Sequence, residues 1–172
     1  MKSPFALLAA AALLGTTPAL AANAPSDPQI AHIAYTAGTI DIEAAKQALA
    51  RTHNKTVRAF AQEMVRDHTA VNDKALALVK KLHVTPQDNA TSQSLTKAAT
   101  AERSKLSKLS GDAFDREYVD NEVAYHKTVN GALESTLIPN AKNGELKSLL
   151  QTGLTLFREH QAHAEQVAKG LK

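Results

Sequence analysis

His68, His126 and His160, together with Glu122 and Asp41, are the side chains in this 172-residue sequence whose types and spacing could do chemistry. Neutral imidazoles combined with carboxylates suit a bound transition metal such as Zn, Fe, Mn or Cu. The same groups can also form a metal-free polar layer, hydrogen-bonded within itself, that fixes the register of packed helices. Either reading requires the five residues to meet, because burying any one of them unpaired costs several kcal/mol.

The elements that would bring them together are helices. Val57, Ala61, Met64, His68, Val71, Ala75, Leu78 and Leu82 recur at steps of four and three, which keeps one helix face apolar. His68 stands in that row where a plain bundle helix would carry Leu or Ala. Glu122 lies at the centre of another apolar stripe, with His126 one turn on, and His160 falls between Phe157 and Ala164 on the last helix. The first helix is apolar on two sides. Its row of Ile30, Ala34, Ala37 and Ala48 includes Asp41, while Glu43 points elsewhere. Asp41, His68, His126 and His160 each lie about 13–15 residues into their helices, a depth that places them in one layer whichever way the helices run.

Capping and breaking residues set the boundaries. Asp27-Pro28 opens a first helix, with Asp27 as N-cap, that runs to about Arg51. Asn54 or Thr56 caps a second, which ends near Leu82 ahead of Val84-Thr85-Pro86. Residues 87–93 read as a loop, and a shorter third helix follows from Leu95 to Leu109. Ser110-Gly111-Asp112 closes it, with Asp112 capping a fourth helix that stops before Pro139; a fifth runs from about Glu145 to Lys169. Long helices of about 24–28 residues span about 36–42 Å. The segment between the second and fourth is long enough to cross that distance. The expected fold is therefore all-α: a ferritin-like four-helix bundle with an additional shorter crossover helix. An up-and-down bundle is the other topology these lengths allow.

Composition agrees with helices and restricts function. Gly is 7, Pro 6 and Trp 0, and aromatics are 4%, so the core is built from Ala, Leu, Ile and Val. Met1-Lys2, the apolar run from Phe5 to Leu14 and the small-x-small Ala19-Leu20-Ala21 read as a secretory signal peptide over residues 1–21. Residues 22–172 are then the bundle domain, exported to the periplasm or cell envelope, with no membrane span of its own. The absence of Cys excludes disulfides and a lipoprotein-type anchor. Loss of Lys2 leaves 19 Lys and Arg against 17 Asp and Glu, interleaved along the helices, which gives no basic stripe for nucleic acid. No strained Ser elbow and no phosphate-cradling glycine loop occurs. Glu-x-x-His, the di-iron signature of carboxylate bundles, is replaced by Glu122-x-x-x-His126, which disfavours a ferroxidase. His163 is expected to pair with Glu159 at the surface and Glu102 to form a rim salt bridge. His32, His53 and His83 are expected to be solvated.

Three segments resemble a known family: Phe60 to His68 (FAQEMVRDH), Leu109 to Tyr118 (LSGDAFDREY) and Leu156 to His160 (LFREH). They are similar to signatures of exported bacterial ferritin-like proteins that are catalogued as a domain of unknown function. The similarity runs from about Asp27 to Leu171. It implies a ferritin-like bundle, a signal-bearing precursor, and recurring family positions at Asp67-His68 and His126. Where that family commonly carries Glu in the first helix, this chain has Asp41 and then Glu43. It implies no particular activity. The leading expectation is an exported bundle with a metal ion as partner, in a binding or stress-protection role. A metal-free structural bundle that self-associates or docks a protein is the alternative, and a metal-dependent redox enzyme a further one.

Overall fold

The computed structural model describes residues 24–171, so the proposed signal peptide lies outside the described residues. Among the described residues there are five main helices: α1 (Asp27–Arg51), α2 (Lys55–Lys81), α3 (Ala90–Leu106), α4 (Gly111–Ala132) and α5 (Gly144–Gly170). A π-helical turn, Leu133–Leu137, and a last turn, Ile138–Asn140, extend α4. No strand occurs among the described residues.

Cross-helix contacts fix the topology. Arg58 donates to the Leu49 carbonyl and Asn72 to the Tyr35 carbonyl, so α1 and α2 form an antiparallel hairpin. Asp27 accepts from the amides of Lys142 and Asn143, Tyr125 donates to Ala37, and Arg51 lies over Phe114, so α4 also runs antiparallel to α1. It follows that α2 and α4 are parallel. Asn130 donates to the Gln161 side chain and, one turn on, Glu134 pairs with Arg158, which makes α4 and α5 the second antiparallel hairpin. Two hairpins joined by a long crossover are the connectivity of the ferritin-like bundles.

The crossover is α3. It starts beside the α1 N-terminus, where Asn89 reaches the Gln29 carbonyl, and finishes where Arg51 donates to the carbonyls of Ser107 and Leu109. Packing on the back of α1 explains why that helix is apolar on two sides: Ala31, Ala37, Ala44, Ala45 and Ala48 are all buried.

The helix ends differ from the expected ones in several places. Ser26, not Asp27, is the N-cap of α1, which frees the Asp27 carboxylate to tie down the α4–α5 connection. α3 begins at Ala90, inside the expected loop, because the Asn89 side chain accepts from the amides of Thr91 and Ser92. Asp112 lies in the first turn of α4 after the cap Ser110, with Gly111 in the left-handed region at φ 56°. Pro139 does not stop α4 at once. The wider turn before it, in which the Ile138 amide reaches the Leu133 carbonyl, lets the helix run on to Asn140.

The apolar interior is in two parts. One part gathers Val57, Phe60, Met64, Phe114, Tyr118 and Ala164; the other gathers Ile30, Ile33, Leu133, Leu146, Leu150 and Phe157. The layer between them is polar.

Candidate metal centre

That layer contains Asp41 from α1, His68 from α2, Glu122 and His126 from α4, and His160 from α5, all buried. All five residues singled out by the sequence are here. The rings of His68, His126 and His160 form a triangle with centroids 5.2–5.6 Å apart. Their candidate ligand nitrogens lie within 4.8 Å of one another, and so do the candidate ligand atoms of Asp41, Glu122 and His126.

Asp41 is the hub. Its Oδ2 lies 3.4 Å from His68 Nε2 and 3.5 Å from His126 Nε2. Neither contact is aligned as a hydrogen bond, and Asp41 Oδ1, Asp41 Oδ2, both His68 nitrogens and His126 Nε2 have no hydrogen-bond partner. Four ligands at about 2.1 Å around a tetrahedral ion stand about 3.4 Å from each other. The Asp41 contacts match that edge.

The rings are held from behind. His126 Nδ1 lies 3.0 Å from the Glu122 carbonyl, which only accepts, so the ring proton is on Nδ1 and the Nε2 lone pair faces Asp41. His160 Nε2 donates to Asp67 Oδ2 at 3.1 Å, which leaves the buried Nδ1 as its lone-pair nitrogen. An outward N–H on an oxygen with the other nitrogen free is the usual arrangement of an imidazole that ligates a metal. His68 has no such anchor and is fixed by stacking on Phe157, centroids 4.6 Å apart and planes at 8°.

Electrostatics keep the imidazoles neutral. Burial holds His68 well below its ordinary range, with His126 and His160 nearby adding to the effect. Burial lowers His126 to about 4. His160 is lowered by burial in spite of Asp67. The two carboxyls move the other way: burial raises Asp41 to about 7 and Glu122 well above its usual value, and Asp41 pushes Glu122 further. Burial and their mutual repulsion favour the protonated form of these two carboxyls, and a cation bound beside them would displace a proton.

Other expectations need correction. His163 pairs with Glu63 across the α2–α5 interface, Nδ1 to Oε2 2.7 Å, and not with Glu159. Glu102 forms no ion pair among the described residues. It is raised by burial and by Glu117, whose carboxylate Lys105 holds. His32 is half-buried, 3.9 Å from Asp88, whereas His53 and His83 are exposed as expected. Glu43 is exposed and paired with Arg103 of α3.

Asp67 and Glu63 are the site-facing residues that the apolar stripes did not single out. Asp67 was named by the family resemblance alone; the further signal was their spacing of four on α2, which puts both carboxylates on the edge of the helix that meets α5.

The fold and this layer define a helical-bundle protein with a buried histidine–carboxylate waist. Residues 13–167 match the family described as "Domain of unknown function (DUF4142)", and the chain belongs to it. No curated protein and no solved structure matches the chain.

Proposed function

We propose that the chain is an exported bundle that holds one transition-metal ion at its waist, for metal binding or protection of the cell envelope and not for turnover. The observation that carries this is a set of unpartnered polar atoms in one buried layer, Asp41 Oδ2, His68 Nε2, His126 Nε2 and His160 Nδ1, within two overlapping groups of candidate ligands that share His126. A closed hydrogen-bonded layer would pair these atoms with each other; a cation in the layer would supply the partner they lack. Three neutral nitrogens and one oxygen suit Zn or Cu better than the oxygen-preferring Mn. Nearly complete burial of the donors suits holding an ion. Export is supported by the signal-like residues 1–21.

A metal-free structural bundle is the second reading, favoured by the stacking of His68 on Phe157 and the edge-on packing of His126 against His160. Thermal melting of protein prepared without a histidine tag separates the two. An ion that binds only the folded state raises the melting temperature by mass action. Zn or Cu is expected to do so in the wild type and not in His126→Ala. Melting that ignores Zn, Cu, Fe and Mn salts, with no metal retained on purification, leaves the structural reading.

A further inference from the structure

The donors at the waist are at most 4% exposed, so an ion needs a route to them. One edge of the layer grades outward in exposure through groups that are themselves metal ligands: Asp67 at 17%, Glu63 at 29% and His163 at 39%. Glu63 and Asp67 stand one turn apart on α2, opposite His163 and His160 on α5. Candidate ligand atoms of Glu63, Asp67 and His160 lie within 4.8 Å of each other, and His163 Nδ1 is 2.7 Å from Glu63 Oε2. A cation already stands at the outer face of this set: Arg66 donates to both oxygens of Asp67, at 2.7 and 3.0 Å. His160 stands between the two sets, its Nε2–H on Asp67 and its unpartnered Nδ1 buried.

We propose that Glu63, Asp67 and His163 form an outer cation station that captures a divalent transition-metal ion from solvent and passes it to His160. The inference rests on the reading of the waist as a metal site and adds its means of loading. Two carboxylates at a half-open edge raise the local concentration of cations. The ion would leave the outer carboxylates for His160 Nδ1, the ring keeping its Nε2 proton on Asp67, without crossing the apolar core. A station on the path lowers the barrier in both directions, so it changes rates and leaves affinity alone.

The test is stopped-flow mixing of Co(II) with the full chain, free of metal and tag, following the visible absorption of the bound ion. Glu63→Gln keeps the side chain's size, and His163→Ala removes a half-exposed ring; circular dichroism checks the helicity of each. Both are expected to slow uptake and release together by about tenfold, the scale of electrostatic focusing. Their final spectrum and affinity should equal the wild type's, and His53→Ala should match the wild type throughout. Wild-type uptake rates in both variants overturn the station and leave the centre standing. Weakened affinity with unchanged uptake also overturns it, because the residues would then act on the bound ion. A wild type that binds no Co(II) removes station and centre together.

Discussion

Asp67 Oδ2 accepts a 3.1 Å hydrogen bond from His160 Nε2 across 93 positions of sequence, and this bond decides which nitrogen of the ring can serve as a ligand. The carboxylate is held on its other side by Arg66, whose hydrogen bonds lower it below its ordinary range. A half-exposed ion pair on α2 thereby sets the tautomer of a buried imidazole on α5.

Asp67→Asn keeps the shape and removes the charge. Loss of such an outer partner typically costs about 10–100-fold in metal affinity. A Zn competition titration is expected to show a drop of that size, with the helical content unchanged. Affinity equal to the wild type's would remove His160 from the ligand set.

Metal binding is expected to release a proton. Asp41 is raised to about 7, so below that pH its carboxyl is mostly protonated and an entering cation must displace the proton. Affinity should climb as pH rises toward about 7 and level off above it. Calorimetry near pH 6 in two buffers of different ionisation enthalpy measures the released proton directly. Asp41→Asn should abolish the release and weaken binding.

Metal-free stability should also depend on pH, through two opposing contributions. His126 falls from 6.5 to about 4 on folding, so its contribution is present above 6.5 and is lost as pH falls through 4. Asp41 rises from 3.8 to about 7, so its contribution is present below 3.8 and is lost as pH rises through 7. Glu122, raised well above its ordinary value by burial, acts in the same direction as Asp41, so in Asp41→Asn combined with Glu122→Gln only the histidine slope remains. Urea unfolding of that variant is expected to show stability rising with pH between about 4 and 6.5, more steeply than in the wild type.

Two glycines give a stability test independent of metal. A Cβ on Gly38 would lie 2.3 Å from Asn72 Oδ1, at the point where Asn72 also donates to Thr39. Gly38→Ala is expected to destabilise by about 1–3 kcal/mol through overpacking. Gly131 in α4 has nothing within 4 Å of that position. Gly131→Ala is expected to stabilise by about 0.5–1 kcal/mol, the helix preference of Ala over Gly. Denaturant midpoints measure both.

Much of the fold could be read because its long helices carry a strong period and clear breaks. The depth of Asp41, His68, His126 and His160 in their helices anticipated one shared layer. What escaped did so for local reasons. The doubly apolar face of α1 leaves its core side ambiguous until α3 is seen on its back. Asp67 lies one residue from the stripe member His68, so a helical wheel turns it to the flank, yet flanks meet at a helix interface. His163 sat within reach of Glu159 in sequence, while its actual partner Glu63 is 100 positions away. Pro139 marks a stop only for regular α geometry, and the π turn before it carries the helix past the proline.

Anomalous scattering at the zinc edge, from crystals of Zn-loaded protein, tests the central claim most directly. The account predicts one strong peak at the waist, about 2.0–2.2 Å from His68 Nε2, His126 Nε2, His160 Nδ1 and an Asp41 oxygen. Zinc found only on the surface, with the waist empty in crystals that contain the metal, would contradict it.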